Sequence, residues 1–343
     1  MKQTLISSAA LLIGLGALSN KPAAEEVDLS LRFKKGQTFT VTTNSETDMA
    51  LDELSVMVDG AEVLGDGIGF EMLAESKESQ TVEILEVKEG EVTAMRITFD
   101  EQDVSFEASY DAMGESDTMS ESMDSDLAGR TIEVRLDEEG DVVVTDVTED
   151  ADGALSDEEL AMFDLEPMAA SLLPEEPVEI GEEFELANEW MELMEEFMEE
   201  DLADAMDDLG DEEAAAAEVV METIYESLSI EAKGKVTGVE DGMATIEYEM
   251  SAAVEMDDLM TLASEISPEA GEIPPGVEAS MLMGLELTGT GMFDMELGQL
   301  ISLEIEGDMS MELDGAADMQ GTSAEAAAAM SGTIAMTIKA EFE

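Results

Sequence analysis

The chain has no cysteine and no histidine among its 343 residues. Without cysteine there is no disulfide, no thiol nucleophile and no thiolate zinc site, so stability has to come from a packed core. Without histidine the commonest general base and transition-metal ligand are missing, and the Ser-His triad with them. There is no G-x-S-x-G, no Ser-x-x-Lys and no P-loop; Gly65-Asp66-Gly67-Ile68-Gly69 lacks the spacing of a dinucleotide fingerprint and reads as a bulged strand. Cations are scarce: 13 Lys and Arg face 87 Asp and Glu, for a formal charge of −74. That balance excludes the basic footprint of a nucleic-acid binder and docking on anionic headgroups. Aromatics make up only 4% of the residues, too few for the girdles of an outer-membrane barrel. After Leu18 no apolar run reaches membrane-spanning length.

Residues 1–19 read as an export signal. Lys2 supplies the positive start, Leu5–Leu18 the apolar run, and Ala17 and Ser19 the small residues before a cleavage point near Asn20. No cysteine follows to carry a lipid. The expected address is a periplasm or the exterior, where an acidic, Lys-poor surface also suits high salt. Between Arg135 and Lys233, and again between Lys235 and Lys339, there is no Lys or Arg. This asymmetry predicts electrostatic attraction between the first half and the second.

Three regions follow the signal. Residues 20–150 are β-rich: Val27–Phe33 and Thr38–Thr43 alternate around Lys34–Gln37, Thr81–Phe99 turns at Lys88–Glu91, and Arg130–Leu136 and Val142–Val147 flank Asp137–Gly140. The Ser-, Asp- and Met-rich stretch 111–126 reads as a loop. Residues 151–229 read as helical, with Ser156 and Glu159 at capping-box spacing. Within them, Asn188–Leu209 sets Trp190, Met191, Met194, Phe197, Met198, Leu202, Ala205, Met206 and Leu209 on one stripe, opposite ten carboxylates. Like-charge pairs such as Glu192 with Glu196 cost roughly 0.2–0.5 kcal/mol each, so this helix needs a partner surface. Residues 230–343 return to strands: Lys233–Glu249 around Val239–Gly242, Met292–Ile305 around Asp294–Gly298, then Met309–Leu313 and Gly332–Phe342, with a short helix at Met256–Ile266. The turns Lys88-Glu89-Gly90 and Glu240-Asp241-Gly242 suggest two related halves. The expected fold is α+β: a curved, half-barrel-like antiparallel sheet from both flanks, packed on the helical middle as one composite domain.

The order of LRFKKGQTFTV, VEILEVKEGEVTAMRITF, GRTIEVRLDEEGDVVV, LPEEPVEIGEEF and GTGMFDMELGQLISLEIEGDMSM resembles a family of exported bacterial proteins of unknown function, frequent in planctomycetes. The resemblance covers most of the chain after the signal and implies no catalytic residues. Gly291–Glu306 is also similar to hairpins of the LolA-like lipoprotein carriers, whose antiparallel half-barrel wraps helices over an apolar cavity. That likeness implies a fold rather than a function.

Two motifs carry candidate chemistry. Counted from Thr148, Asp150, Asp152, Gly153, Ala154, Ser156 and Glu159 fall at EF-hand positions 3, 5, 6, 7, 9 and 12, with threonine where the leading aspartate belongs. A turn at Asp152-Gly153 before a Ser156/Glu159 cap accounts for the same residues without calcium. Met281 with Met283, and Met309 with Met311, have the spacing of soft-metal pairs but equally that of core filler on one strand face. No catalytic, cofactor or metal residue is assigned. The expected function is non-enzymatic binding of an apolar or lipid-like molecule between Met-rich walls. The competing expectation is an acidic interaction protein that tolerates salt or binds divalent cations.

Self-repulsion at this charge predicts a salt-dependent fold. Raising NaCl from about 0.05 M to about 1 M shortens the screening length to roughly 3 Å, and the melting temperature should rise with it. A flat dependence in differential scanning calorimetry would contradict the premise.

Overall fold

The computed structural model of the chain describes residues 26–64, 68–112, 115–124, 127–137, 139–148, 155–156, 160, 163, 165, 168–174, 176–186, 223, 227–256, 277–319 and 322–342. Their strands are β1 Glu26–Val27, β2 Thr38–Val58, β3 Ala61–Leu64, β4 Ile68–Lys88, β5 Glu91–Ala112, β6 Glu115–Asp124, β7 Thr131–Leu136 and β8 Val142–Asp146, then β9 Val178–Glu179, β10 Glu183–Glu185, β11 Leu228–Glu240, β12 Met243–Met256, β13 Val277–Asp294, β14 Gln299–Met319 and β15 Thr322–Phe342. One antiparallel sheet runs β10-β11-β12-β13-β14-β15-β2-β4-β5-β7-β8, with β3 beside β2 and β6 beside β5; β1 pairs with β9 separately. Among the described residues the path ends at β10 and β8 rather than closing on itself.

The expected α+β class is therefore corrected. The described residues are almost entirely antiparallel β, and the expected helical middle, residues 151–229, contributes a five-residue 3-10 turn at Met168–Leu172 and the short strands β9 and β10. The stripe Asn188–Leu209, most of the expected helix Met256–Ile266 and the signal 1–19 lie outside the described residues. Residues 115–124, expected in a loop, form β6 against β5. Their alternation of Met119 and Met123 with Ser120 and Ser122 is too sparse in apolar residues to announce a strand.

Two-residue periodicity organises the sheet. On β14, Leu303, Ile305, Met309, Met311 and Leu313 share one face, while Glu304, Glu306, Asp308, Glu312 and Asp314 share the other. Registers carry this across strands: Leu303 pairs with Ile338, and Ile338 with Thr43. A slip of one residue would put a row of carboxylates into the core, so the pattern fixes the register. Hairpin turns are set locally. Asp59-Gly60, Glu89-Gly90 and Asp241-Gly242 all have positive φ (51° and 73°, 57° and 104°, 51° and 85°), the geometry of two-residue type I′ turns. The repeated Glu-Gly and Asp-Gly turns are thus the same device, used three times.

Two buried clusters lie on the apolar face. One gathers Val236, Ala244, Ile246, Tyr248, Phe293 and Leu303 from the C-terminal strands with Val27, Leu29, Leu172 and Val178. The other gathers Val82, Ile84, Ile97, Phe99, Ile132 and Val134 from the N-terminal strands with Leu155 and Leu165. The stretch Val27–Phe33, expected as a strand hairpinned to Thr38–Thr43, instead pairs only at Val27, with β9 outside the large sheet, and then crosses the large sheet's face. Its alternation survives: Val27 and Leu29 are buried, and Leu31 and Phe33 pack against the clusters. The Arg32 N–H donates to the Gly298 carbonyl, the amide of buried Gln299 donates to the Arg32 carbonyl at 2.6 Å, and the Gly36 N–H donates to the Ile84 carbonyl. This strap therefore runs from β14 to β4 across the two strands between them. Among the described residues, Arg96 pairs with Glu83 and Glu133, Arg130 with Asp146 and Lys77 with Glu101 inside the first half, and the halves join through β2–β15 backbone pairing from Phe39↔Phe342 to Val58↔Ala324.

The Tyr248 hydroxyl donates to the Leu172 carbonyl at 3.1 Å in a buried setting, and burial pushes the phenol well above its ordinary value. Tyr248→Phe leaves that carbonyl unpaired. It should cost about 1–3 kcal/mol, read as a lower urea midpoint at unchanged slope.

Candidate functional site

Burial should be greatest at the middle of a sheet. Here it is not. β15 and β2 stand at the centre of the strand order, yet Phe39, Val41, Met336, Ile338, Ala340 and Phe342 on their apolar face are only half-buried, while Phe293, Ile246 and Ile132 on either side are fully enclosed. The space above them is an apolar cavity of about 450 Å³ lying between the two buried clusters. This volume is within the range of small-molecule sites.

The floor comes from β2, β4, β5, β14 and β15. Phe39 and Phe342, from strands far apart in sequence, meet with ring centroids 5.1 Å apart at 31°. Val82, Ile84, Met95 and Ile97 continue the floor on one side, Leu300 and Leu303 on the other. The roof comes from the two segments that cross the seam. Phe33 projects from the strap, and Phe163, Leu165, Ala169 and Leu172 come from the second crossing. That second segment is held at both ends: Phe163 packs on Phe99 with centroids 5.7 Å apart, and Leu172 accepts the Tyr248 hydrogen bond.

The walls are graded. Along β4 the inward residues run Ile84, Val82, Gln80, Glu78, and along β2 they run Phe39, Val41, Thr43. The apolar end lies under the strap; the polar end, with Thr43 directly across from Glu78, lies further along the strands. Six residues separate Ile84 from Glu78, a span of roughly 20 Å at the rise of a β-strand. Among the described residues the side chains of Thr43, Glu78 and Gln80 have no hydrogen-bond or ion-pair partner. Burial raises the Glu78 carboxyl above its ordinary range, with nothing opposing it. Across the next strand from Glu78, the side-chain oxygen of Gln102 is buried without a donor.

The sequence motifs fall elsewhere. Thr148, the leading position of the calcium-like loop, donates its hydroxyl to Asp146 at 2.5 Å and accepts the Thr131 N–H at 2.8 Å, so it serves the end of β8. Ser156 accepts the Leu160 N–H on its carbonyl, as a helical turn requires. Asp150, Asp152, Gly153, Ala154 and Glu159 lie outside the described residues, among which no group of three acidic side chains is placed to hold a metal. Met283 pairs with Met311 across β13 and β14, and Met281 with Leu313. The four methionines spread along one sheet face, away from the cavity. The Met residues that do line it are Met95 and Met336. Glu78 was not singled out by any motif; the signal available was the run of polar residues replacing apolar ones at two-residue steps along β4.

No family model matches the sequence, and no curated protein matches it. Solved structures that it resembles include an outer membrane channel from Pseudomonas putida F1 (8% identity, 94% of this chain and all of that one, TM-score 0.19), OccK7 of Pseudomonas aeruginosa (6%, 90% of this chain and all of that one, TM-score 0.20) and a Pseudomonas aeruginosa FadL homologue (6%, 90% of each chain, TM-score 0.17). Likeness of this degree carries no argument about this chain.

A carboxyl whose folded pKa lies above its unfolded value supports folding in its neutral form; that support is complete below the unfolded pKa and is lost as pH rises through the folded one. Glu78→Gln should therefore raise the melting temperature near pH 7. The advantage should shrink toward pH 4, and paired melts of both proteins at the two pH values would show it.

Proposed function

We propose that the protein binds an apolar or lipid-like small molecule in the cavity at the seam of the sheet and performs no chemistry on it. One observation carries this reading: the central strands keep large apolar side chains half-exposed in a recess beneath two crossing segments, where a protein optimised only for stability would fill the gap. An unfilled apolar volume forfeits dispersion contacts and costs stability by roughly 24 cal/mol per Å³ in measured cavity series. Keeping such a space is expected where something occupies it. The lining offers the usual mix of a ligand pocket, mostly aliphatic and aromatic walls with a few polar groups at one end. The address belongs to the same proposal. An export signal at residues 1–19 would deliver the protein to a periplasm or the exterior, where its acidic face suits a saline solvent.

N-phenyl-1-naphthylamine, a neutral apolar fluorophore, should bind with enhanced emission. Val41→Trp, which fills the middle of the floor, should weaken that binding by about tenfold or more, a change of roughly 1.4 kcal/mol or more, while the fold is retained by circular dichroism. Solvent extraction of protein purified from its native envelope should yield a stoichiometric apolar molecule by mass spectrometry. Equal dye binding by Val41→Trp together with an empty extract would sink the reading.

A further inference from the structure

Building on that reading, we propose that the occupant is a single-chain amphiphile with a cationic amine head, its chain along Phe39, Ile338 and Phe342 and its head against Glu78, Thr43 and Gln80. The cavity is graded rather than uniform. A wholly apolar ligand would leave three polar side chains facing hydrocarbon with nothing to bond, at a desolvation cost that selects against it. A ligand with a polar head at that end satisfies them.

The chemistry of the head follows from the groups present. The Glu78 carboxylate and the Gln80 side-chain oxygen are acceptors, and Thr43 can accept as well as donate. Among the described residues no Lys or Arg lines the cavity. A fatty-acid carboxylate would meet another carboxyl without a counter-charge, in a protein of formal charge −74; like charges in a partly desolvated site repel strongly. An alkylammonium supplies donors to the acceptors and a counter-charge to Glu78, and charge-assisted bonds of this kind are among the stronger ones. The surrounding acidic field also raises the local concentration of cations.

The test is isothermal titration of the full-length protein at about 150 mM NaCl, near-physiological screening, with dodecylamine, dodecanol and dodecanoate below their aggregation thresholds. Each is repeated on Glu78→Gln and on Glu75→Gln, whose side chain is exposed on the opposite face of β4. Expected are binding in the order amine, alcohol, carboxylate, and a loss of about tenfold or more for dodecylamine in Glu78→Gln. Dodecanol should hardly change in that variant, and Glu75→Gln should match the parent for all three. Equal weakening of dodecylamine by both variants would mean that only the diffuse field attracts it, which overturns the proposal. Equal affinity for the three probes would overturn it too while leaving the apolar-cavity reading intact. Failure of all three to bind, together with N-phenyl-1-naphthylamine, would remove both.

Discussion

The pairing of β2 with β15 is the interaction on which the rest depends. Nearly every other pairing in the large sheet joins strands that follow one another closely in chain order among the described residues. β2 and β15 are separated by most of the sequence, and their pairing converts two local meanders into one sheet. The small residues Ala326–Ala329 and Ser55 lie toward the outer end of that ladder, while Phe39, Val41, Ile338 and Phe342 stand at its inner end. These large side chains are only half-buried between the two clusters, and the cavity lies over them.

The acidic face is the other half of the same pattern. On β14, with one face given to apolar residues, carboxylates fall at nearly every second position of the other, and few cations are available in the chain to offset them. The ion pairs that do form are half-exposed for the most part and contribute modestly. Backbone hydrogen bonding and burial on one face must therefore outweigh a broad repulsion on the other, which is why register matters more here than any individual charge.

Much of the β architecture was legible in the sequence because turns and alternation are local. Lys88–Glu91, Asp137–Gly140, Val239–Gly242 and Asp294–Gly298 all mark reversals between paired strands, Lys34–Gln37 turns without forming the expected hairpin, and the inward residues of Lys233–Glu249 and Gly332–Phe342 fall on one face as their period requires. Strand length was not legible. Ala324–Ala329 has strong helix-forming composition yet forms the outer part of β15, because pairing on both sides overrides intrinsic preference. Nor could alternation say whether Val27–Phe33 pairs or merely lies across a sheet, since an extended strap buries every second residue in either case. The cavity was beyond reach for a further reason. Its lining is drawn from residues 33 to 342, and only the long-range pairing brings those residues together. The expectation of apolar walls was general; the methionine pairs that prompted it lie elsewhere on the sheet, and Glu78 drew no notice among so many acids.

The meeting of Phe39 with Phe342 bears on how the molecule comes into being. A chain emerging in order, from a ribosome or through a membrane pore, delivers one side of this floor near the outset and the other only after some three hundred residues more. Throughout that interval the inner flank of β2 is a raw edge with a greasy margin, open to any extended segment that drifts past. The heavy excess of carboxylates is then useful before folding as well as after, since chains that repel one another in transit seldom zip together along the wrong edge.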